Sequence, residues 1–193
     1  MIKNIARATL AVVVLAVLTG LVYPLVMTGI AQVAFRGDAD GSIVKVNAKP
    51  VGSSMIGQTW TGPGWFYGRP SAVSYDASTS SGTNLGPSSK DLADAIKNVA
   101  KGIIKVESPY HPNLTVAQIP DDLLTSSGSG LDPDITPAAA KFQAPRIAAV
   151  HGLTLSQVMS LIDEHTSSRT LGFLGMPRVN VLELNLALEA ASK

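Results

Sequence analysis

The chain has 193 residues, 46% of them apolar, with 15 Lys+Arg against 14 Asp+Glu and no cysteine. That length suits one domain with at most an appendage. The missing cysteines exclude a disulfide scaffold, a thiolate metal site and a cysteine nucleophile. Only 15% of the residues are charged, against roughly 25% in an ordinary soluble chain. The deficit is local: neither Asp nor Glu precedes Asp38, and the only basic side chains before it are Lys3, Arg7 and Arg36. From residue 36 onward, 13 basic side chains (15 less Lys3 and Arg7) stand against 14 acidic ones. A balanced domain of this kind has no surplus of cations for phosphate contacts, so nucleic acid is not an expected partner.

Residues 8–35 are 28 positions without one charge. As a helix they reach about 42 Å, against roughly 30 Å of hydrocarbon, and such a helix satisfies its own backbone in lipid. Lys3 and Arg7 give the start the look of a secretory signal, but a signal's apolar core is about 7–15 residues, half this length. The expectation is therefore a retained transmembrane helix over 8–35. A short basic head stays inside while a long trailing domain translocates regardless of its charge. That places residues 1–7 in the cytoplasm and residues 36–193 outside. Within the span Pro24 predicts a kink. Ala16 and Gly20, four apart, offer a small-residue face to another helix or to ordinary lipid. The span holds no Asp, Glu, Lys, Arg or His, so a single copy cannot itself be an ion path.

Residues 36–42 read as a polar, turn-rich exit. Short strands are expected at 43–46 and 51–56, with 50–52 as the turn between them. Residues 60–70 interleave Trp60, Trp65, Phe66 and Tyr67 with Gly and Pro, a structured loop, and the Ser/Thr/Asn/Gly-rich 71–89 is a second loop. A helix begins near Ser89, with Leu92, Ala95, Ile96 and Val99 at helical spacing and Gly102 closing it. After the loop at 126–137, Thr136 caps a helix opened by Pro137, which Pro145 should break or kink after about two turns. Thr154 caps another helix running to about His165, and 179–191 form the last. Few strands and several amphipathic helices predict an α+β domain behind one N-terminal transmembrane helix.

Most catalytic chemistry finds no support. There is no G-x-x-x-x-G-K-[ST] phosphate loop and no Asp-Lys-Thr phosphorylation signature. His111, His151 and His165 match no metal-ligand spacing. Asp121 and Asp122 follow Pro120 as a turn or helix start, and Asp132 and Asp134 flank Pro133 without an identifiable acid–base partner. The 127–130 Ser-Gly-Ser-Gly run is not the G-x-S-x-G nucleophile elbow. Residues 80–87 carry amides and hydroxyls that suit either an anion-binding nest or plain turns. Arg69, Arg146 and Arg178 each adjoin a proline, which suits pinning loops through carbonyls or carboxylates.

These motifs, in their order, resemble a known family. Val22-Tyr23-Pro24-Leu25-Val26, Gly68-Arg69-Pro70-Ser71 and Ser81-Gly82-Thr83-Asn84-Leu85-Gly86-Pro87 come first. Thr125-Ser126-Ser127-Gly128-Ser129-Gly130-Leu131-Asp132, Gln143-Ala144-Pro145-Arg146 and Pro177-Arg178-Val179-Asn180-Val181-Leu182-Glu183-Leu184-Asn185-Leu186-Ala187-Leu188 follow. Together they resemble the C subunit of the bacterial Kdp potassium-transporting P-type ATPase. The resemblance implies an inner-membrane, single-pass accessory subunit with no catalytic residue of its own. Its implied partners are a channel-like potassium-translocating subunit, an ATP-hydrolysing P-type subunit and membrane lipid. No tightly bound cofactor is implied; ATP acts through the complex and potassium is the transported ion. The family's proposed role is that of a catalytic chaperone that raises ATP affinity, with nucleotide contacts carried here onto Ser81, Gly82, Thr83, Asn84 and Gln143. The predicted topology puts those residues outside the cell, so any effect on nucleotide would be indirect. A cap over the channel-like subunit's outer mouth, with Asp132 and Asp134 concentrating cations, is a companion expectation. The competing reading is a membrane-anchored periplasmic hydrolase or ligand-binding protein acting alone.

Overall fold

The structure, a computed structural model, describes residues 1–192. It divides into two compact units, Met1–Val51 and Gly52–Lys193. In the first, Ile2–Ala34 is one apolar helix of 33 residues, long enough to cross a membrane and with none of its apolar stretch buried in the protein. It consists of α1 (Ile2–Val17), a π-helical turn (Leu18–Val22) and α2 (Tyr23–Ala34). Pro24 has no N–H to give the carbonyl four residues back, and the wider turn just before it absorbs the misfit. The irregularity expected at Pro24 thus takes the form of a π-turn. Thr19 Oγ1 donates to the Leu15 carbonyl at 2.8 Å, and Gly20 has open space where a Cβ would sit.

A single turn, α3 (Arg36–Ala39), leads to a hairpin of β1 (Ile43–Val46) and β2 (Lys49–Ser53). The turn lies at Asn47 and Ala48, both at positive φ (50° and 65°), and not at 50–52 as expected. Two left-handed residues give the twist that a two-residue hairpin needs. The second strand consequently starts earlier, and Pro50 sits in a strand with only one paired edge, where its missing donor is tolerated.

The second unit opens with a long loop and then α4 (Lys90–Glu107), capped by Ser89, whose side chain accepts from the Leu92 N–H. Gly102 does not end this helix. The apolar stripe continues through Ile103 and Ile104, and its packing outweighs the ~1 kcal/mol that an interior glycine costs. After a 3₁₀ turn (Val116–Gln118) and the short α5 (Asp121–Leu124), β3 (Asp134–Ile135) precedes α6 (Pro137–His151). Thr136 caps α6, and Asp122 in turn accepts from the Thr136 N–H and hydroxyl. Pro145 does not break α6, which runs through it to a left-handed Gly152. Ala139, Ala140, Ala144, Ile147 and Ala148 are all buried along it, so packing on both sides of the proline holds the helix where propensity would end it.

Helix α7 (Leu155–Glu164) starts on a capping box of Thr154 and Gln157 and packs most extensively against α6. Then come β4 (Thr166–Ser167), β5 (Arg178–Asn180) and α8 (Val181–Ala191). Val179 belongs to a strand and not to the last helix: β5 lies between β3 and β4, antiparallel to both, with Val179 opposite Ile135 and Thr166. Asn180 caps α8 by accepting from Glu183 N–H. The core joins α6, α7 and α8 through Ile147, Val158, Ile162, Leu184 and Leu188, with Phe66 entering from the loop. The 168–177 connection between β4 and β5 does the opposite: Leu171 (79% exposed), Phe173 (67%), Leu174 and Met176 all face out.

Candidate functional site

The polar centre of the second unit is Arg146 on α6, fully buried. Its Nε donates to Glu107 Oε1 at 2.8 Å, its Nη2 to Gln143 Oε1 at 3.0 Å, and its Nη1 to the carbonyls of Pro63 and Trp65. The Tyr67 ring lies 4.5 Å from its Cζ, a cation–π contact in a dry setting. Burial pushes the Glu107 carboxyl up from its ordinary value, and the Arg146 charge pulls it partly back.

Around this pair two side-chain amides grip the 60–70 loop as a neighbouring strand would. Gln143 accepts from the Tyr67 N–H (2.8 Å) and donates to the Tyr67 carbonyl (3.1 Å). Asn185 on α8 accepts from the Phe66 N–H (2.9 Å) and donates to the Phe66 carbonyl (3.0 Å). Consecutive residues of an irregular loop thereby have both backbone groups satisfied, which allows Phe66 to be buried. His151 Nε2 meets the Gly64 carbonyl at 2.7 Å and extends the grip.

The other two arginines form ion pairs as well, Arg69 holding a loop and Arg178 tying β5 to β3. Arg69 pairs with Asp132 at 3.2 Å, and Arg178 pairs with Asp134 at 3.0 Å. Burial raises the Asp134 carboxyl, with Arg178 opposing the shift. Each of these carboxylates thus faces a guanidinium, Asp132 that of Arg69 and Asp134 that of Arg178. Tyr75 donates to the Arg69 carbonyl at 2.7 Å, and burial, reinforced by the Asp132 charge, pushes its phenol up to about 12.

Two glycine-rich loops interleave nearby. Ser81 N–H and Ser80 Oγ both donate to the Ser129 carbonyl, at 2.9 and 3.2 Å. Gly130 is at φ +69°, and a Cβ there would lie 2.7 Å from the Ser81 carbonyl, so only glycine fits. Gly82 approaches Gly128 as closely, while Thr83 and Asn84 are exposed. The nucleotide-type residues therefore fall into two groups. Those at 81–84 belong to the paired loops, and Gln143 spends its amide on Tyr67, Ala139 and Arg146.

Glu107 carries no sequence motif, and Asn185 lies in the last of the family motifs, where nothing marks its partner; each leaves a trace, one acid on the apolar stripe of α4 and one amide among the leucines of α8. A polar group at such a position has to be paired. What covalent distance hides is the partner, 39 residues away for Glu107 and 119 for Asn185.

Helix, domain and site together define a class: a chain with one membrane-length helix among the described residues and an α+β domain whose buried Arg146, Gln143 and Asn185 hold its own 60–70 loop. The family model described as "KdpC: K+-transporting ATPase, c chain" matches residues 5–190, and the chain belongs to that family. A "Potassium-transporting ATPase KdpC subunit" of Koribacter versatilis is 48% identical over 189 residues, covering 97% of this chain and 94% of its own. The protein of that name from Caldanaerobacter subterraneus is 49% identical over 187 residues (96% and 94%). The one from Polaromonas naphthalenivorans is 50% identical over 192 residues (97% and 95%).

Proposed function

We propose that the chain is an accessory, non-catalytic subunit of an ATP-driven potassium-uptake complex, anchored in the inner membrane by its N-terminal helix. Residues 1–7 lie in the cytoplasm and 36–193 outside, beside a channel-like subunit and an ATP-hydrolysing subunit. The observation that carries this reading is the bare helix Ile2–Ala34 in a chain of this family. It needs a greasy environment, and with no Asp, Glu, Lys, Arg or His from Ala8 to Phe35 it supplies no ion path. The exposed apolar tip at 171–176 adds support, because contiguous bare apolar side chains mark protein contacts.

A chaperone-like effect on ATP affinity is then transmitted through partner subunits. Gln143, with both ends of its amide engaged inside the domain, supports this indirect route over a direct contact, and the same route serves Ser81, Gly82, Thr83 and Asn84. A cap over the channel-like subunit's outer mouth fits the same topology and rests on contact, not charge, because Asp132 and Asp134 are each neutralised.

The wild type has no cysteine, so Ser168→Cys at an exposed site gives a unique label. A membrane-impermeant maleimide should modify it in cells with a permeabilised outer envelope and an intact inner membrane, and two larger membrane proteins should co-purify with the chain. Modification only after inner-membrane lysis overturns the topology. Extraction of the chain alone overturns the assembly.

A further inference from the structure

Between α4, α6 and the 67–70 stretch lies a cavity of about 280 Å³, its wall mainly apolar and including Val99, Ile103, Leu123 and Phe142. The polar residues in the lining are already engaged. Gln143 bonds the Tyr67 backbone, Ala139 and Arg146 with the two ends of its amide, and the Tyr67 hydroxyl donates to the Gly62 carbonyl at 2.7 Å. Arg69 pairs with Asp132 and Glu107 with Arg146, while the two atoms left without a bond, Arg69 Nε and Glu107 Oε2, are themselves buried. A donor or acceptor carried into this space would lose its hydration without gaining a bond. The space therefore selects an apolar side chain.

The same unit carries an apolar knob. Leu171, Phe173, Leu174 and Met176 stand exposed on the β4–β5 connection. Thr170 and Leu174 close the turn with two backbone bonds of 2.9 Å, so Phe173 is presented on a preorganised support and little freedom is lost when it docks. Size agrees, since a cavity of about 150 Å³ already holds benzene. Charge agrees as well. Arg169 and Arg178 flank the knob, with no acid from His165 to Leu182, while the short helix that brings Leu123 to the cavity opens on an exposed Asp121. Arg69 lines both the cavity and the pocket that holds Met176, so knob and hole lie on neighbouring faces. Two copies related by a two-fold axis can then fill each other's cavities, and the contact closes at two.

We propose that two copies of this chain exchange their 171–176 tips, the Phe173 ring of each entering the other's cavity against Phe142. The contact is small, so the dimer is weak and reversible. It is a state of the chain without its partner subunits, and it can fail without touching the transport role.

Sedimentation equilibrium of the full-length chain in density-matched detergent, over a series of protein concentrations, tests this. Two variants each remove one half of the contact. Phe173→Glu puts a charge on the knob at an exposed site. Gly102→Leu fills the hole, because Gly102 lines the cavity and has open space at its Cβ position. The wild type should dimerise reversibly, and each variant alone at least tenfold more weakly at an unchanged or higher thermal midpoint. If Gly102→Leu melts earlier, Val99→Phe takes its place. An equimolar mixture of the two variants retains one intact knob and one intact hole, so it should regain mixed dimers of intermediate strength. A monomer at every concentration overturns the proposal and leaves the cavity to a partner's side chain or a free hydrocarbon. A dimer that either variant leaves intact also overturns it, and places the contact elsewhere, such as between membrane helices. So does a mixture no better than its components, because knob and hole then do not meet.

Discussion

Arg146 is the residue on which the second unit most depends, because its donors meet a buried carboxylate, a buried amide and two loop carbonyls at once. Arg146→Leu should therefore cost about 3–5 kcal/mol, the scale for stranding a buried charge. Urea unfolding would read this as a lower midpoint at an unchanged slope. Gln143→Ala should cost less, about 2 kcal/mol, since it releases the Tyr67 backbone but leaves the ion pair in place. Tyr75 makes a pH-dependent prediction. Its native phenol titrates near 12, against an ordinary value of 10.0. The unfolded chain gives up this proton first, so the contribution is complete below pH 10 and is lost as the pH rises towards 12. Because the ring stays partly in contact with solvent, screening keeps the full loss to about 1 kcal/mol. Urea midpoints taken from pH 9 to 12 should fall for the wild type and fall less for Tyr75→Phe; parallel curves would contradict the assignment.

At the scale of elements, helices whose caps and apolar stripes agree were legible in the sequence, and those where a local breaker opposed packing were not. Thr136, Thr154 and Ser89 mark their helix starts correctly because the cap is a bond within three residues. Gly102 and Pro145 mislead because the force that overrides them is burial against distant residues such as Ile162 and Leu184. The same division holds at the polar centre. Arg69 and Arg146 are readable as loop pins from their prolines, whereas Arg178 ties β5 to β3. Glu107 emerges only when α4 meets Arg146 on α6, and the role of Asn185 only when α8 reaches the loop at Phe66. The glycine also supplies a prediction: Gly102→Ala, whose added methyl meets no atom within 4 Å, should stabilise the unit by about 0.5–1 kcal/mol. Differential scanning calorimetry would show it as a rise of a few degrees.

For the whole molecule, the split into two compact units means that the Gly52–Lys193 core is complete without the membrane helix. A chain lacking residues 1–35 should unfold cooperatively within about 3 °C of the full-length protein, as expected when ΔΔG stays below about 0.5 kcal/mol. Circular dichroism melts of the two would decide this, and loss of a cooperative transition would mean that the helix stabilises the second unit. The tip at 171–176 bears on the same balance from outside. Leu171 sits at φ +54° beside Gly172 at φ +82°, in a turn closed by the Thr170–Leu174 bridge. That turn spends backbone strain on holding oily side chains in water. A cell that synthesises this polypeptide faster than its companions would carry surplus copies with a sticky finger uncovered. Those orphans would clump or be degraded, making matched gene dosage a condition of keeping the protein at all.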